Sequence, residues 1–349
     1  MKLQTIAAFV LLLLASTTGA LAAHHHNADD SDQALGIVTG SKAGTYIAFG
    51  KDIAREAAKY GLTVNVFDSK GSIDNIKRIT SKGNVGLAIV QSDVLGFLSH
   101  SKNPHSIEVA KKIRLVAPFY DEEVHILTRR SITSLAELSG KRVVVGSEGS
   151  GSMLTAVNIF SLVGVTPAKM YEVDPPHGVI AVLNDEVDAI VFVGGKPVKM
   201  FKNMEELAKI TQGPNAGKLD QVHFLPLDDP RLLKEYKPAT ITHSDYNFVM
   251  ENVPTIAVTA LLVTYDYTMK KGAYYADHCK NMAKLAKILI DNLDDLKATG
   301  HPKWQEVNMN ADISNWKRDS CSEKVFAEQT PANDNNSLET DLLGVIKAK

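Results

Sequence analysis

Apolar and polar positions follow two alternating periods along most of the chain. Leu35 to Thr39 reads as a short strand, a helix is predicted from about Thr45 to Tyr60, and Leu62 to Phe67 alternate as a second strand. Gly61 is a typical helix end, and Ser72 is a typical cap for the start of the next helix. Strands that alternate with helices in this way predict βαβ units and a mostly parallel sheet.

The same pattern continues in a second α/β unit. Further strands are predicted at Val85–Val90, Val124–Thr128, Lys141–Val145, Met170–Val173 and Val187–Val193, with helices at Ser152–Val163 and His177–Leu183. A second long apolar strand follows at Thr255–Val263. The long strands at Val124–Thr128 and Thr255–Val263 flank the middle of the chain. A chain needs two such strands to cross to another domain and return. We therefore predict lobe I at 35–122 plus 255–330, lobe II at 123–254, and a ligand cleft between them.

The first 22 residues have the pattern of a secretory signal peptide. Lys2 precedes an apolar run at Ile6–Leu14, and Ala20 and Ala22 form a small-residue cleavage site. The run is shorter than the ~20 residues that a membrane span requires. The processed protein is thus expected in the periplasm. Residues 23–34 and 331–349 are polar, and we expect a disordered N-terminus and a polar C-terminal tail.

Charge gives little indication of a macromolecular partner. The formal net charge is −2, and loss of Lys2 with the signal peptide takes it to −3. Such a weak balance offers no case for nucleic acid or an anionic membrane surface. We expect a monomer that recognises its ligand through a local site.

The two cysteines leave two alternatives open. Cys279 and Cys321 are compatible with one disulfide in an exported protein. Cys279 also lies on an apolar stripe with helical spacing, which fits a buried free thiol equally well.

The processed N-terminus carries His24, His25 and His26. Cleavage after Ala22 or Ala23 leaves a histidine third from a free amine, a spacing that can surround Cu(II) or Ni(II) in a square plane. The alternative is a mobile tail without a role.

Glycine- and serine-rich loops follow several of the predicted strands. In parallel sheets ligands gather where strands end and helices begin, because the first N–H groups of a helix attract anions. These loops lie at 40–46, 71–72, 91–93, 149–152 and 194–197. The loop after Lys141–Val145 has Gly146 and Gly151 at phosphate-loop spacing, but Ser152 and Met153 follow and no lysine does. A carboxylate fits this loop better than a nucleotide.

Catalysis is not supported by any motif. Glu122, Glu123 and His125 lie together and could suggest acid–base or metal chemistry. However, the chain has no HExxH spacing and no G-x-S-x-G sequence around Ser150. We interpret these polar residues as part of a hinge, and we expect neither an enzyme nor a cofactor.

Several stretches, in order from residue 35 to 265, resemble the TAXI-type solute receptors of TRAP transporters. They are TGSKAGTY (39–46), GSIDNI (71–76), VGLAIVQSD (85–93), FYDEEVHIL (119–127), SLAELSGKRVVVGSEGSGS (134–152), LNDEVDAIVFVGGKP (183–197) and NVPTIAVTALLV (252–263). The resemblance implies a type II periplasmic-binding-protein fold, with two α/β lobes, a hinge and a central ligand cleft. It also implies a small carboxylate ligand (a glutamate-like amino acid, a dicarboxylate or a 2-oxo acid) and a TRAP-type membrane permease as partner.

The resemblance also assigns candidate ligand-binding residues. They are Ser41, Gly44, Thr45, Tyr46, Gln91, Asp93, Tyr120, Glu122, His125, Gly149, Ser150, Gly151, Ser152, Gly195 and Pro197. The sequence departs from the family pattern at Ile47, Ala48 and Asp121, and Lys42 adds a cation, which affects the choice of ligand. A sensory protein that uses the same cleft to signal to a membrane receptor is the alternative function.

Overall fold

The computed structural model describes residues 34–42, 44–81, 85–211, 219–268 and 271–327. The predicted signal peptide, His24–His26 and the predicted tail 331–349 lie outside the described residues. The strands are β1 Leu35–Val38, β2 Val64–Phe67, β3 Leu87–Gln91, β4 Ile113–Arg129, β5 Arg142–Val144, β6 Lys169–Tyr171, β7 Ala189–Gly194, β8 Val222–Phe224, β9 Lys237–Ile241 and β10 Val253–Tyr265.

The α-helices alternate with these strands over much of the chain. They are α1 Thr45–Lys59, α2 Ser72–Thr80, α3 Val94–Ser99, α4 Pro104–Ala110, α5 Gly151–Val163, α6 Pro175–Leu183, α7 Lys199–Lys202, α8 Met204–Lys209, α9 Pro230–Leu233, α10 Ala273–Asp291, α11 Leu293–Thr299 and α12 Ser320–Ala327. Short 3₁₀ helices lie at Leu135–Leu138, Leu219–Gln221 and Pro302–Glu306. Among the described residues, no helix is both long and apolar enough to cross a membrane.

The strands form one sheet with the order β2-β1-β3-β10-β4-β7-β5-β6. In the first half, β2, β1 and β3 are parallel, and β10 runs antiparallel to β3. In the second half, β6, β5 and β7 are parallel, and β4 runs antiparallel to β7. We call these half I (β1–β3) and half II (β5–β7). Each half has the parallel βαβ plan that the alternation of periods predicts.

Two long strands connect the halves. β4 has 17 residues and β10 has 13, and they pair from Tyr265↔Ile113 to Ala257↔Glu123. The C-terminal part of β10 borders β3 in half I, whereas the C-terminal part of β4 pairs with β7 in half II. This topology confirms the predicted α/β fold, with two sheet halves that share two long strands.

Apolar side chains cover the sheet in four buried clusters. The cluster of α1 and α10 contains Phe49, which stacks on Trp304 with ring centroids 4.3 Å apart. Leu154 of α5, in half II, joins a cluster formed mainly by half I. The described residues after Asp32 belong to one compact unit, so the halves are in contact here.

Three strands differ from the predicted pattern. The strand predicted at Val124–Thr128 is only the end of β4, and β8 and β9 were not predicted.

Cys279 of α10 and Cys321 of α12 form a disulfide, with their Cα atoms 5.2 Å apart. The disulfide is therefore the alternative that the fold adopts.

Candidate functional site

The loop between β5 and α5 is built around glycine and serine. Gly149 has φ +77°, a conformation that side chains with a Cβ rarely adopt, so glycine is required there. The Ser150 hydroxyl accepts a 3.2 Å hydrogen bond from the Met153 amide and caps α5. The Ser152 hydroxyl accepts one from the Val193 amide at 3.0 Å. These bonds fix the loop at the ends of β5 and β7.

This loop of half II contacts the start of α2 in half I. The Gly149 carbonyl accepts hydrogen bonds from the amides of Ile73 at 3.1 Å and Asp74 at 3.3 Å. A Cβ added to Gly71 would lie 3.2 Å from the Ser150 Cα, so the two backbones touch. The first amides of α2 are thus partly satisfied by a carbonyl of half II.

Gln91, at the end of β3, is the second point where the halves meet. A Cβ on Gly151 would lie 2.0 Å from Gln91 Oε1, so a side chain there would have to displace the Gln91 side-chain amide. The Thr155 hydroxyl of α5 lies 3.3 Å from Gln91 Oε1, and the Gln91 backbone amide donates to the Ser72 hydroxyl at 3.1 Å. Gln91 therefore links the starts of α2 and α5.

Asp93 lies beside Gln91 and is also held by half II. Its Oδ2 accepts hydrogen bonds from Thr155 at 2.8 Å, Tyr236 at 3.3 Å and Asn158 at 3.5 Å. Burial raises the pKa of Asp93 to about 6, although these hydrogen bonds act in the opposite direction.

Tyr46 of α1 and Glu122 of β4 form the centre of the site. The Tyr46 hydroxyl donates a 2.6 Å hydrogen bond to Glu122 Oε2, and both residues are buried. Burial raises the pKa of Glu122 to about 8; Glu123 raises it further, whereas the Tyr46 hydrogen bond and Lys303 lower it. The buried side chain of Tyr120 lies near Glu122. Burial and the Glu122 charge raise the pKa of the Tyr120 hydroxyl.

Lys303 lies next to β4 at the edge of the site. Its ammonium donates to both carboxylate oxygens of Glu306, at 2.7 and 2.8 Å, and lies 4.0 Å from Glu123 Oε2. A Cβ on Gly195 would be 2.7 Å from Lys303 Cε and 3.1 Å from the Tyr120 ring. Gly195 is thus a point of close approach between half II and Lys303.

The structure brings together most, but not all, of the predicted site residues. Tyr46, Gln91, Asp93, Tyr120, Glu122, Gly149, Ser150, Gly151, Ser152 and Gly195 lie at the contacts described above, and Gly44 and Thr45 begin α1 beside them. Ser41 and Pro197 are exposed, and the Ser41 carbonyl accepts a 2.9 Å hydrogen bond from the Gly44 amide.

His125 is the predicted residue that lies away from this group. It is fully buried, stacks on Phe201 at 5.1 Å, and both ring nitrogens are occupied, by the Glu123 carbonyl and the Tyr246 hydroxyl. We therefore leave His125 out of the candidate site.

Several residues at the site were missed. Ser72 was predicted to cap α2, but Gly71 is the cap residue and the Ser72 hydroxyl instead accepts from the Gln91 backbone amide. Thr155, Asn158, Tyr236 and Lys303 had no signal in the sequence because they reach the site only through tertiary packing. Among the described residues, no group of three or more His, Cys, Asp or Glu side chains could hold a metal ion.

The fold and this cleft can now be compared with known proteins. The NMT1-like family matches residues 37–316, and the chain belongs to this family.

Among solved structures, the chain is similar to a periplasmic sulfonate-binding protein of a sulfonate ABC transporter from Methylobacillus flagellatus, at 11% identity, a TM-score of 0.43, and 75% and 68% of the two chains. It is also similar to a periplasmic aliphatic sulphonate binding protein from Escherichia coli, at 13% identity, a TM-score of 0.39, and 76% and 72% coverage. A TctC solute binding protein from Polaromonas has 16% identity, a TM-score of 0.37, and 75% and 87% coverage. These overall similarities are weak.

Proposed function

We propose that the protein is an extracytoplasmic solute receptor. It captures a small carboxylate between half I and half II and delivers it to a TRAP-type permease. The ligand classes are a glutamate-like amino acid, a dicarboxylate or a 2-oxo acid. In this proposal, half I and half II belong to the two lobes, and β4 and β10 act as the hinge strands.

The observation that carries the proposal is the meeting of the Gly149–Ser152 loop with Gln91 and the start of α2. Each half contributes hydrogen-bonding groups that lie next to groups of the other half. The first amides of α5 carry the positive end of the helix dipole, a favourable place for a carboxylate. A ligand held there contacts both halves and stabilises their closed arrangement.

The delivery step rests on the family resemblance of the sequence. The ordered series of motifs from residue 35 to 265 supports a receptor that works with a permease. No recognised motif in the sequence pairs a nucleophile with a base, and this supports binding without catalytic turnover.

A calorimetric titration of the processed protein tests the proposal. The ligands are L-glutamate, succinate and 2-oxoglutarate, and we expect at least one to bind. Tyr46→Phe removes the hydroxyl that positions the Glu122 carboxylate, and we expect it to weaken binding by about tenfold.

Tyr60→Phe is the matched control. The Tyr60 hydroxyl also makes a 2.6 Å hydrogen bond, to Asn292, but on an exposed surface. We expect its affinity to equal that of the wild type. No binding of any of the three acids, or equal affinity of the Tyr46 and Tyr60 variants, would argue against the proposed site.

A further inference from the structure

The buried charges around Glu122 are mainly negative. Its neighbours of like charge are Glu123 on the same strand and Asp93 at the end of β3, and both raise its pKa. Lys303, from the 3₁₀ helix Pro302–Glu306, is the cation that lowers it. This lysine already donates to both oxygens of Glu306. Its charge is therefore largely compensated before any ligand arrives.

The same region contains buried polar atoms without a hydrogen-bond partner. Within the described part of the chain, these include the Tyr120 hydroxyl and Asp93 Oδ1. Tyr120 is only 1% exposed, and its pKa is raised by the neighbouring Glu122. Thr45 is the side chain that approaches this hydroxyl, and it lowers the pKa of Tyr120. An unpaired buried polar group is unfavourable, so a donor from a ligand would be favourable here.

A carboxylate alone does not meet these requirements. An additional negative charge would be repelled by Glu123 and Asp93 and would oppose the ionisation of Glu122, and it would bring no donor for Asp93 Oδ1. An ammonium or amidinium group brings several donors and a positive charge. Paired with Glu122, it would also offset the cost of burying that carboxylate.

We infer that the ligand carries a positively charged nitrogen group as well as its carboxylate, and that Glu122 is the residue that binds this group. The inference rests on the proposed receptor function and narrows its ligand class to zwitterions. The carboxylate lies at the start of α5, and the cation lies towards β4. Dicarboxylates and 2-oxo acids then become poor ligands.

Matched pairs of amino acids and 2-oxo acids test the inference. We choose L-glutamate with 2-oxoglutarate, L-alanine with pyruvate, and L-leucine with 4-methyl-2-oxopentanoate, since the members of a pair differ mainly at one carbon. The best-bound amino acid should bind the processed wild-type protein at least about tenfold more tightly than its oxo acid, as expected for a hydrogen bond to a charged group. Glu122→Gln should reduce this preference to less than about threefold.

Glu123→Gln is the control, because it removes a neighbouring charge while its amide oxygen can still accept from the Lys196 amide, which donates to Glu123 at 2.8 Å. This variant should reduce the preference for the amino acid less than Glu122→Gln does. An independent readout is proton release. Amino-acid binding at pH 7 should release a proton from Glu122, measured as a dependence of the binding heat on buffer ionisation.

Different results would overturn the inference about the ligand and the proposed receptor function. Equal or tighter binding of the oxo acids to the wild type, or an unchanged preference in Glu122→Gln, would overturn the inference and leave the receptor function intact. Binding of no compound in any pair would overturn the proposed carboxylate receptor, and the inference with it.

Discussion

The imidazole of His125 is a buried neutral group in an aromatic cluster. The Tyr246 hydroxyl accepts from the Val198 amide and can therefore donate its own proton to His125 Nε2, at 2.8 Å. The opposite ring nitrogen, Nδ1, then donates to the Glu123 carbonyl at 2.9 Å. Burial lowers the pKa of His125 to about 3. Both hydrogen bonds suit the neutral ring, so this residue stabilises the end of β4.

The low pKa of His125 predicts a loss of stability in acid. Because the folded pKa lies below the ordinary value of 6.5, the unfolded chain binds the proton more readily, and stability falls as the pH drops from about 6.5 towards 3. At pH 5 this cost is about 2 kcal/mol. We expect the free energy of unfolding, measured by urea denaturation, to fall more between pH 8 and pH 5 in the wild type than in His125→Gln. The difference between the two should be about this amount.

His100→Gln is the control for this measurement, because His100 is exposed. Its pH dependence should match the wild type. A His125→Gln variant with the full wild-type drop would show that the buried ring is not the source of the acid sensitivity.

The loop that begins α5 is the element on which the proposed closure depends. At its start, a side chain on Gly151 would meet the Gln91 amide, whereas a Cβ on Gly96 of α3 would meet nothing within 4 Å. We predict that Gly151→Leu prevents the halves from meeting and lowers ligand affinity at least about tenfold. Leucine is chosen because it is too large for a rotation of Gln91 alone to accommodate.

Calorimetry with L-glutamate, succinate and 2-oxoglutarate checks this prediction. Gly96→Leu should bind like the wild type, because the added side chain projects into open space. Wild-type affinity in Gly151→Leu would mean that contact between Gly151 and Gln91 is not part of the bound state.

The disulfide between α10 and α12 contributes stability at the level of elements. It closes a separation of 42 residues and so restricts the unfolded chain. Replacement of both cysteines by serine should lower the free energy of unfolding by about 2–4 kcal/mol. Urea denaturation of the double variant, compared with wild type in the presence and absence of a reductant, measures this. Wild type that is unaffected by complete reduction would contradict the prediction.

Elements were more predictable than the contacts between them. The helix beginning at Thr45 and the strand–loop–helix unit around Gly149 follow from local periodicity and cap residues, and both predictions are confirmed. Lys303 could not be found in this way, because nothing in its local sequence indicates that it packs against Gly195. The disulfide was left open for the same reason, since spacing alone does not bring Cys279 to Cys321.

At the scale of the whole molecule, the two sheet halves are joined through β4 and β10. Most of the candidate site lies where these strands pass from one half to the other, which explains why Glu122 neighbours groups from several elements. The pairing of β4 with β10 has register shifts between Thr259 and Leu261 and between Leu262 and Val263. Such irregularities bend strands locally, and they lie close to the passage between the halves.

The central claim is that the two halves close on a small solute. Small-angle X-ray scattering of the processed protein, without ligand and with saturating amounts of the acid that binds best in calorimetry, tests it most directly. We predict a smaller radius of gyration when the acid is bound, and no such decrease for Gly151→Leu. An unchanged radius of gyration at demonstrated saturation of the wild type would contradict closure.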